Sequence, residues 1–132
     1  KIKFDFFQLY NVSPKKTLQI KKKFKKKIIS AIQINKKIDV NNYKKYLDIA
    51  DIILFDSKGY EKSMAFDHTF LKEVPRSINR MLAGDIKYNQ KLDKLAKITD
   101  IIDISGGLET YKNKDILKIN FFLKNINKVR RK

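Results

Sequence analysis

The decisive stretch of this sequence is Ile101-Ile102-Asp103-Ile104-Ser105-Gly106-Gly107-Leu108-Glu109. Its first four residues are mostly β-branched and apolar, which predicts a strand over residues 101–104. Small residues follow at once and leave the backbone N–H groups of residues 105–107 open to close approach by an anion. A helix predicted from residue 114 would add a favourable field. The pattern indicates either a phosphate-binding turn or an ordinary tight turn after a buried strand, and taken alone it favours the ordinary turn.

The chain upstream repeats the same order of strand and helix. The predicted strands cover residues 4–10, 28–34, 51–55, 79–83 and 101–104, and the predicted helices cover residues 14–26, 40–49, 67–73, 88–98 and 114–129. No hairpin signal is present, so the alternation predicts an α/β fold with five parallel strands joined by right-handed crossovers. Such units form an open doubly wound sheet or part of a (βα)₈ barrel. A whole barrel needs about 250 residues, so this chain has room for five units and not for eight.

The charge of the chain is strongly positive. Its 132 residues carry a formal net charge of +17, an excess typical of proteins that bind nucleic acid, anionic membranes or phosphorylated substrates. Lysine is spread along the whole chain and arginine is scarce, which favours a compositional bias over a dedicated nucleic-acid surface. The densest run, lysines 21–23 and 25–27, is interpreted as the solvated side of the first predicted helix. Nucleic-acid binding is therefore not expected.

Several classes of site have no support in the sequence. The chain contains no cysteine, which excludes disulfides, thiolate metal ligands and a cysteine nucleophile within these residues. No apolar run approaches the roughly 18 residues of a membrane span, and no secretory signal pattern occurs. No spacing of metal ligands is present, and His68 is predicted to be a surface or packing residue. We expect one soluble, cytoplasmic domain over residues 1–132, without a metal or a membrane contact.

The ends of the predicted strands carry the candidate residues, because function in parallel α/β folds gathers there. Asp56 follows the apolar pair Leu54-Phe55. A desolvated carboxyl binds its proton more tightly, as a general acid near neutral pH requires. A helix cap or an ion pair with Lys58 explains the same aspartate equally well. The fourth strand ends in Gly84-Asp85, a turn suited to phosphate provided that the Asp85 carboxylate points outward.

Six short motifs occur along the chain, and their order resembles the order of motifs in a known enzyme family. They are Phe7-Gln8-Leu9-Tyr10, Leu54-Phe55-Asp56-Ser57-Lys58, Phe66-Asp67, Leu82-Ala83-Gly84, Asp103-Ile104-Ser105-Gly106-Gly107-Leu108-Glu109 and Lys114-Asp115. Their order and spacing are similar to those of phosphoribosylanthranilate isomerase, the (βα)₈-barrel enzyme of tryptophan biosynthesis. The resemblance covers essentially all 132 residues. It implies a partial TIM barrel, which corresponds to the fourth through eighth βα units and lacks the first three.

The resemblance also implies a reaction. The family carries out a cofactor-free Amadori rearrangement of N-(5′-phosphoribosyl)anthranilate, a small phosphorylated substrate, to a 1-deoxyribulose 5-phosphate. A general acid protonates the ribose ring oxygen, and a general base then removes the C2′ proton. By resemblance Asp56 is the acid, while Asp103 and Tyr10 contact the substrate. The backbone that would bind the phosphate belongs to Gly84, Asp85, Ser105, Gly106 and Gly107.

The chain departs from the family pattern at several positions. Tyr10-Asn11 occupies the place of a usual His-Gly, Asp85 that of a second glycine, and residues 60–65 that of a glycine-rich loop. The family's base is a cysteine that ends the first strand, in a region absent here. We therefore expect these residues alone to be inactive, to expose an apolar strand edge and inner face, and to need the missing N-terminal segment. The alternatives are another phosphate-binding barrel, of the indoleglycerol-phosphate synthase or pentose-phosphate epimerase type, and a basic nucleic-acid-binding domain.

Overall fold

A computed structural model of the chain describes residues 3–57 and 65–130. The strands are β1 (Phe6–Tyr10), β2 (Lys27–Ile34), β3 (Ile52–Ser57), β4 (Arg80–Leu82), β5 (Ile101–Ile102), β6 (Glu109–Thr110) and β7 (Asn113–Lys114). The helices are α1 (Pro14–Phe24), α2 (Leu92–Leu95) and α3 (Ile116–Arg130), with 3₁₀ segments at Lys37–Tyr46, His68–Glu73 and Gly106–Leu108. Within this part of the chain, no helix has the length and hydropathy of a membrane span.

The main sheet has five parallel strands in the order β1-β2-β3-β4-β5. Each strand pairs with its neighbour in sequence, as the prediction of consecutive βα units requires. A doubly wound sheet would contain a reversal of strand order, so that alternative is wrong. Within the described residues β1 and β5 each pair on one side only, which leaves two open edges.

The hydrophobic core lies on one face of this sheet. Along β2, buried and partly exposed residues alternate, and Ile28, Ile32 and Ile34 are at most 4% exposed. Ile53 and Phe55 of β3 extend the same face, because strand pairing in register places partner side chains on one side. The core is completed by side chains from the segments between strands and from α3: Val40, Tyr43, Phe66, Leu71, Val74, Leu92, Leu95, Ile98 and Phe122.

The other face of the sheet is covered only at its centre. One row of register partners crosses all five strands and consists of Tyr10, Ala31, Leu54, Met81 and Ile101. Leu54, in the middle strand, is fully buried, whereas Tyr10 and Ile101, on the edge strands, are 37% and 38% exposed. The predicted exposure of an apolar edge thus holds for the described residues.

Local chemistry sets the bounds of α1. Ser13 Oγ accepts a hydrogen bond from Lys16 N, and Pro14 occupies the first turn. The helix ends at Phe24, two residues before the predicted end, because Lys25 adopts a left-handed conformation with φ of 50°. Lys21 differs from the solvated lysines around it: its Nζ donates to Asp51 Oδ2 at 2.9 Å and to a backbone carbonyl at 2.8 Å.

Three predicted helices are wrong in length or type. The helix predicted over residues 67–73 is the 3₁₀ segment His68–Glu73. The helix predicted over residues 40–49 is the 3₁₀ segment Lys37–Tyr46, which leaves Leu47 41% exposed. The helix predicted over residues 88–98 is a single turn, α2. Gln90 Oε1 accepts from Lys87 N at 2.8 Å and closes a local turn, which competes with a longer helix.

A hairpin interrupts the last predicted unit, contrary to the prediction that the chain has none. β6 and β7 pair antiparallel around Tyr111 and Lys112, whose φ angles are 50° and 65°. Such a turn is usually built from Asn or Gly, so Tyr-Lys gave no signal. The last helix consequently starts at Ile116, two residues after the predicted start, and Ile116 is 64% exposed.

Candidate active site

A cleft of about 910 Å³ opens at the carboxyl ends of the strands. All eight site residues predicted from the sequence line it: Tyr10, Asp56, Gly84, Asp85, Asp103, Ser105, Gly106 and Gly107. They come from the ends of β1, β3, β4 and β5, which parallel pairing brings to one edge of the sheet. The structure therefore joins in one cavity residues that lie up to 97 positions apart in the chain.

Asp56 lies near the end of β3, with both carboxylate oxygens engaged. Oδ1 accepts from the backbone N–H of Ser57 at 2.8 Å, and Oδ2 accepts from the Tyr10 hydroxyl at 3.2 Å. Burial raises the pKa of Asp56 and the charge of Asp103 adds to the rise, while the two hydrogen bonds oppose it. Asp56 does not cap a helix, because the 3₁₀ segment that follows is capped by Asp67. Lys58, its alternative partner, lies outside the described residues.

The turn after β4 needs its glycine. Gly84 has φ of +89°, and a Cβ added there would lie 2.7 Å from Ser57 Oγ. Asp85 also has a positive φ, 47°, and its side chain is exposed. The Gly84 carbonyl contacts Nε2 of His68 at 3.0 Å, and the imidazole packs edge-on against Phe66. His68 thus packs as predicted, although it also has a partner that its sequence context did not indicate.

The turn after β5 packs against the turn after β4. A Cβ added to Gly107 would lie 2.0 Å from the carbonyl oxygen of Ile86, so only glycine permits this approach of two backbones. A Cβ on Gly106 would meet nothing within 4 Å. Within residues 3–57 and 65–130, the N–H groups of Gly84, Asp85 and Ser105 donate no backbone or side-chain hydrogen bond. These donors are available to an anion in the cleft.

The positive end of the α3 helix dipole, predicted to favour an anion at this site, already interacts with a carboxylate of the protein. Asp115 Oδ1 accepts from Leu117 N at 2.9 Å and Lys118 N at 3.3 Å, and so caps the amino terminus of α3 with a carboxylate. A negative charge already occupies that end of the helix. The groups left to interact with an anion in the cleft are the turn amides and the nearby lysines.

Sequence reasoning missed the lysines that brace the turn after β5. Lys114 Nζ donates to Ser105 O at 3.1 Å, to Ser105 Oγ at 3.0 Å and to Glu109 Oε1 at 2.6 Å. Lys118 Nζ donates to Glu109 O at 2.6 Å and lies 5.3 Å from the ring centroid of Tyr88. The Lys114-Asp115 motif was the available signal, but it was assigned to the start of a helix.

Replacing Lys114 by methionine is expected to loosen the Ser105–Gly107 turn. The variant keeps the aliphatic stem and loses three hydrogen bonds at a half-exposed position, a cost of about 1 kcal/mol. Amide hydrogen exchange around Leu108 should then be roughly 5-fold faster. Lys112→Met, at the tip of the hairpin, is the matched control and should leave these amides unchanged. Equal effects from both variants would contradict the bracing role.

No group of three or more His, Asp or Glu residues in the described part of the chain is arranged to hold a metal ion. The described residues line the cleft with carboxyl, phenol, amide and ammonium groups. A carboxyl with a raised pKa can donate a proton near neutral pH. The open amides of two turns can bind an anion a short distance away.

Comparison with known proteins agrees with this geometry. The family model described as N-(5'phosphoribosyl)anthranilate (PRA) isomerase matches residues 1–125. A curated isomerase of that name from Agrobacterium fabrum is 30% identical, over 93% of this chain and 60% of its own length. Among solved structures, the isomerases from Thermus thermophilus and Pyrococcus furiosus superpose with TM-scores of 0.74 and 0.72, at 19% and 21% identity. They are covered over 62% and 63% of their length, against 96% and 95% of this chain.

The comparisons favour neither of the two alternatives, another phosphate-binding barrel or a nucleic-acid-binding domain. The chain spans about 60% of the first curated relative. Because the family model matches nearly all of its 132 residues, the chain belongs to the N-(5'-phosphoribosyl)anthranilate isomerase family.

Proposed function

We propose that the cleft is the general-acid and phosphate-binding part of a phosphoribosylanthranilate isomerase active site, serving tryptophan biosynthesis in the cytoplasm. The observation that supports this most is the convergence of Asp56 with the Gly84 and Ser105 turns in one cavity. A sugar phosphate placed there would have its phosphate at the turns and its ribose ring near the carboxyl. No cofactor is needed for such a rearrangement.

Asp56 is the proposed acid. Its raised pKa keeps a larger fraction of the carboxyl protonated near neutral pH than an exposed aspartate would have. In the proposed step it donates a proton to the ribose ring oxygen, and the ring opens to a Schiff base. Asp103, which follows β5 and lines the same cleft, contacts the substrate, and its charge helps to raise the pKa of Asp56.

The phosphate is proposed to bind to the backbone amides of the two turns. The N–H groups of Gly84, Asp85 and Ser105 have no acceptor within the described residues, and Gly106 leaves open space where a Cβ would be. The exposed side chain of Asp85 can turn away from the anion. Lys87 and Lys112 also line the cleft and offset the carboxylates near the phosphate.

The sheet itself is proposed to be five of the eight strands of a barrel, within a single domain. Sequential parallel pairing with two open edges and the similarity to solved isomerases support this. In the family the base is a cysteine, and this sequence has none. The proposal therefore assigns proton abstraction to N-terminal βα units beyond these 132 residues.

A binding experiment tests the proposal. The crystal structure of one relative holds reduced 1-(o-carboxyphenylamino)-1-deoxyribulose 5-phosphate, and this compound is the probe. Calorimetry with the 132-residue chain should give saturable binding that inorganic phosphate weakens. The same chain should not turn over phosphoribosylanthranilate, followed by anthranilate fluorescence.

Gly106→Val supplies the matched variant for this experiment. Its side chain has room in the fold but enters the proposed phosphate position, so affinity should fall at least about 10-fold, which is 1.4 kcal/mol, with an unchanged circular dichroism spectrum. Absence of saturable binding by the unaltered chain would contradict the proposed function. Turnover by that chain would contradict the assignment of the base.

A further inference from the structure

One contact in the cleft joins strands that are not neighbours. The Tyr10 hydroxyl, at the end of β1, donates to Asp56 Oδ2 on β3 at 3.2 Å. The same hydroxyl accepts from Gln8 Nε2 at 3.1 Å. An amide nitrogen only donates, so the hydroxyl oxygen is the acceptor towards Gln8. Its proton is therefore directed at Asp56.

The strand register explains how Tyr10 reaches across β2. Its register partner is Ala31, whose own partner on β3 is Leu54, two residues before Asp56. Side chains alternate along a strand, so Leu54 and Asp56 lie on the same face as Tyr10. Ala31 on β2 carries only a methyl group, so the phenol ring of Tyr10 can extend across β2.

Two hydrogen bonds, one to each oxygen, fix the orientation of the Asp56 carboxyl. Ser57 N–H bonds to Oδ1, and Tyr10 bonds to Oδ2. A donor stabilises a carboxylate more than it stabilises the neutral acid. Proton donation converts the neutral acid into the carboxylate. The hydrogen bond from Tyr10 therefore becomes stronger as Asp56 gives up its proton.

We propose that Tyr10, oriented by Gln8, is a positioning residue that stabilises the Asp56 carboxylate left after proton donation; this rests on the proposed role of Asp56 as the acid. The proton goes from Asp56 to the ribose ring oxygen. The C1′–O bond breaks with its electron pair on that oxygen, and the nitrogen lone pair forms the C=N bond. Tyr10 keeps its own proton throughout.

The other charges near Asp56 set the background for this effect. Asp103 acts on Asp56 directly and opposes its ionisation. The remaining charged side chains that line the cleft are Asp85, Lys87, Glu109, Lys112 and Lys118. Tyr10 itself has a raised pKa, first because of burial and then because Asp56 and Asp103 are negative. It therefore stays protonated, and remains a donor, across the range in which Asp56 titrates.

Carbon-13 NMR titration of the Asp56 carboxyl tests the proposal. The chain is labelled at aspartate side chains, and the Asp56 signal is assigned from its loss in Asp56→Asn. Tyr10→Phe keeps the ring and removes the hydroxyl, so the midpoint of the Asp56 titration should move to higher pH. Gln8→Met, which removes the donor that orients Tyr10, should move it in the same direction by less. Tyr88→Phe removes another hydroxyl from the same cleft and should leave the midpoint unchanged.

The outcomes separate this inference from the proposed function. An unchanged or lowered midpoint in Tyr10→Phe overturns the positioning role, as does an equal rise in Tyr88→Phe. If loss of the hydroxyl also perturbs the strand, Ala31→Val provides a second variant, because it keeps Tyr10 and Asp56 and adds bulk on β2 beside Tyr10, the register partner of residue 31; it too should raise the midpoint. Binding of the reduced product by the unaltered chain is measured separately. A raised midpoint without that binding would uphold the effect of the Tyr10 hydrogen bond on Asp56 and reject the isomerase site on which the positioning role rests.

Discussion

Replacing Gly107 by alanine is expected to lower the free energy of unfolding by about 3 kcal/mol, at the upper end of the cost of overpacking. A Cβ there would lie 2.0 Å from the backbone oxygen of Ile86, and this oxygen is not the end of a flexible side chain. One of the two turns has to move. Urea denaturation followed by circular dichroism measures the loss.

The neighbouring glycine gives the matched control. A Cβ on Gly106 meets nothing within 4 Å, and Gly106 has no positive φ. Gly106→Ala should therefore change stability by less than about 0.5 kcal/mol, as for an ordinary surface substitution. Equal losses in the two variants would show that the contact with Ile86 does not hold the turns together.

Removing the charge of Asp100 is expected to cost about 2–3 kcal/mol, somewhat below the cost of breaking a fully buried ion pair. Asp100 accepts three hydrogen bonds from Arg80, from the backbone N and from Nε and Nη2, at 3.0–3.1 Å. The Arg80 side chain is 5% exposed and that of Asp100 is 45% exposed. Asp100→Asn keeps the shape but leaves a buried guanidinium without a counter-charge.

An exposed ion pair provides the comparison for Asp100. Lys37 and Glu73 pair with side chains that are 61% and 54% exposed, so Glu73→Gln should cost less than about 0.5 kcal/mol. Both variants are measured by urea denaturation at neutral pH. A loss for Asp100→Asn as small as that for Glu73→Gln would contradict the role assigned to the buried arginine.

The contribution of Asp100 to the free energy of unfolding should also depend on pH. Hydrogen bonds from the Arg80 side chain hold the pKa of Asp100 below the 3.8 usual for aspartate. A carboxyl with a lowered folded pKa contributes stability that is complete above its unfolded pKa and is lost as pH falls through its folded pKa. The difference in the free energy of unfolding between the unaltered chain and Asp100→Asn should therefore become smaller on acidification below pH 3.8. A constant difference down to the lowest pH at which both fold would argue against the ion pair.

The sequence predicted the cleft better than it predicted the elements around it. The position of Asp56 and of the glycine turns follows from apolar runs that end in small or acidic residues, a signal contained in a few consecutive residues. The helix over residues 88–98 was wrong because Gln90 closes a turn with a backbone amide, and one side chain can outweigh an amphipathic period. Lys114 was missed as a brace because its partners depend on a hairpin that has no Asn-Gly signal.

The contact between Tyr10 and Asp56 could not be predicted either. It depends on the register that sets Tyr10 beside Ala31 and Asp56 beside Gln33, and pairing register is not visible in a single sequence. Asp85 was expected to disturb an anion unless it faced outward; the residue is exposed and also lines the cleft, so this stays a prediction. Local patterns thus placed the candidate residues in one cleft, while contacts between distant residues decided the geometry around them.

The strand order also has a consequence for how this sheet can assemble. Every strand in it is bonded only to the strands before and after it along the chain, so no pairing has to wait for a remote segment to arrive. Each pairing closes only the loop of one βα unit, although parallel pairing is slower than hairpin formation because the crossover has to close first. A sheet with this strand order can gain or lose one βα unit at either edge without a change in the remaining strand pairings, much as a repeat protein can.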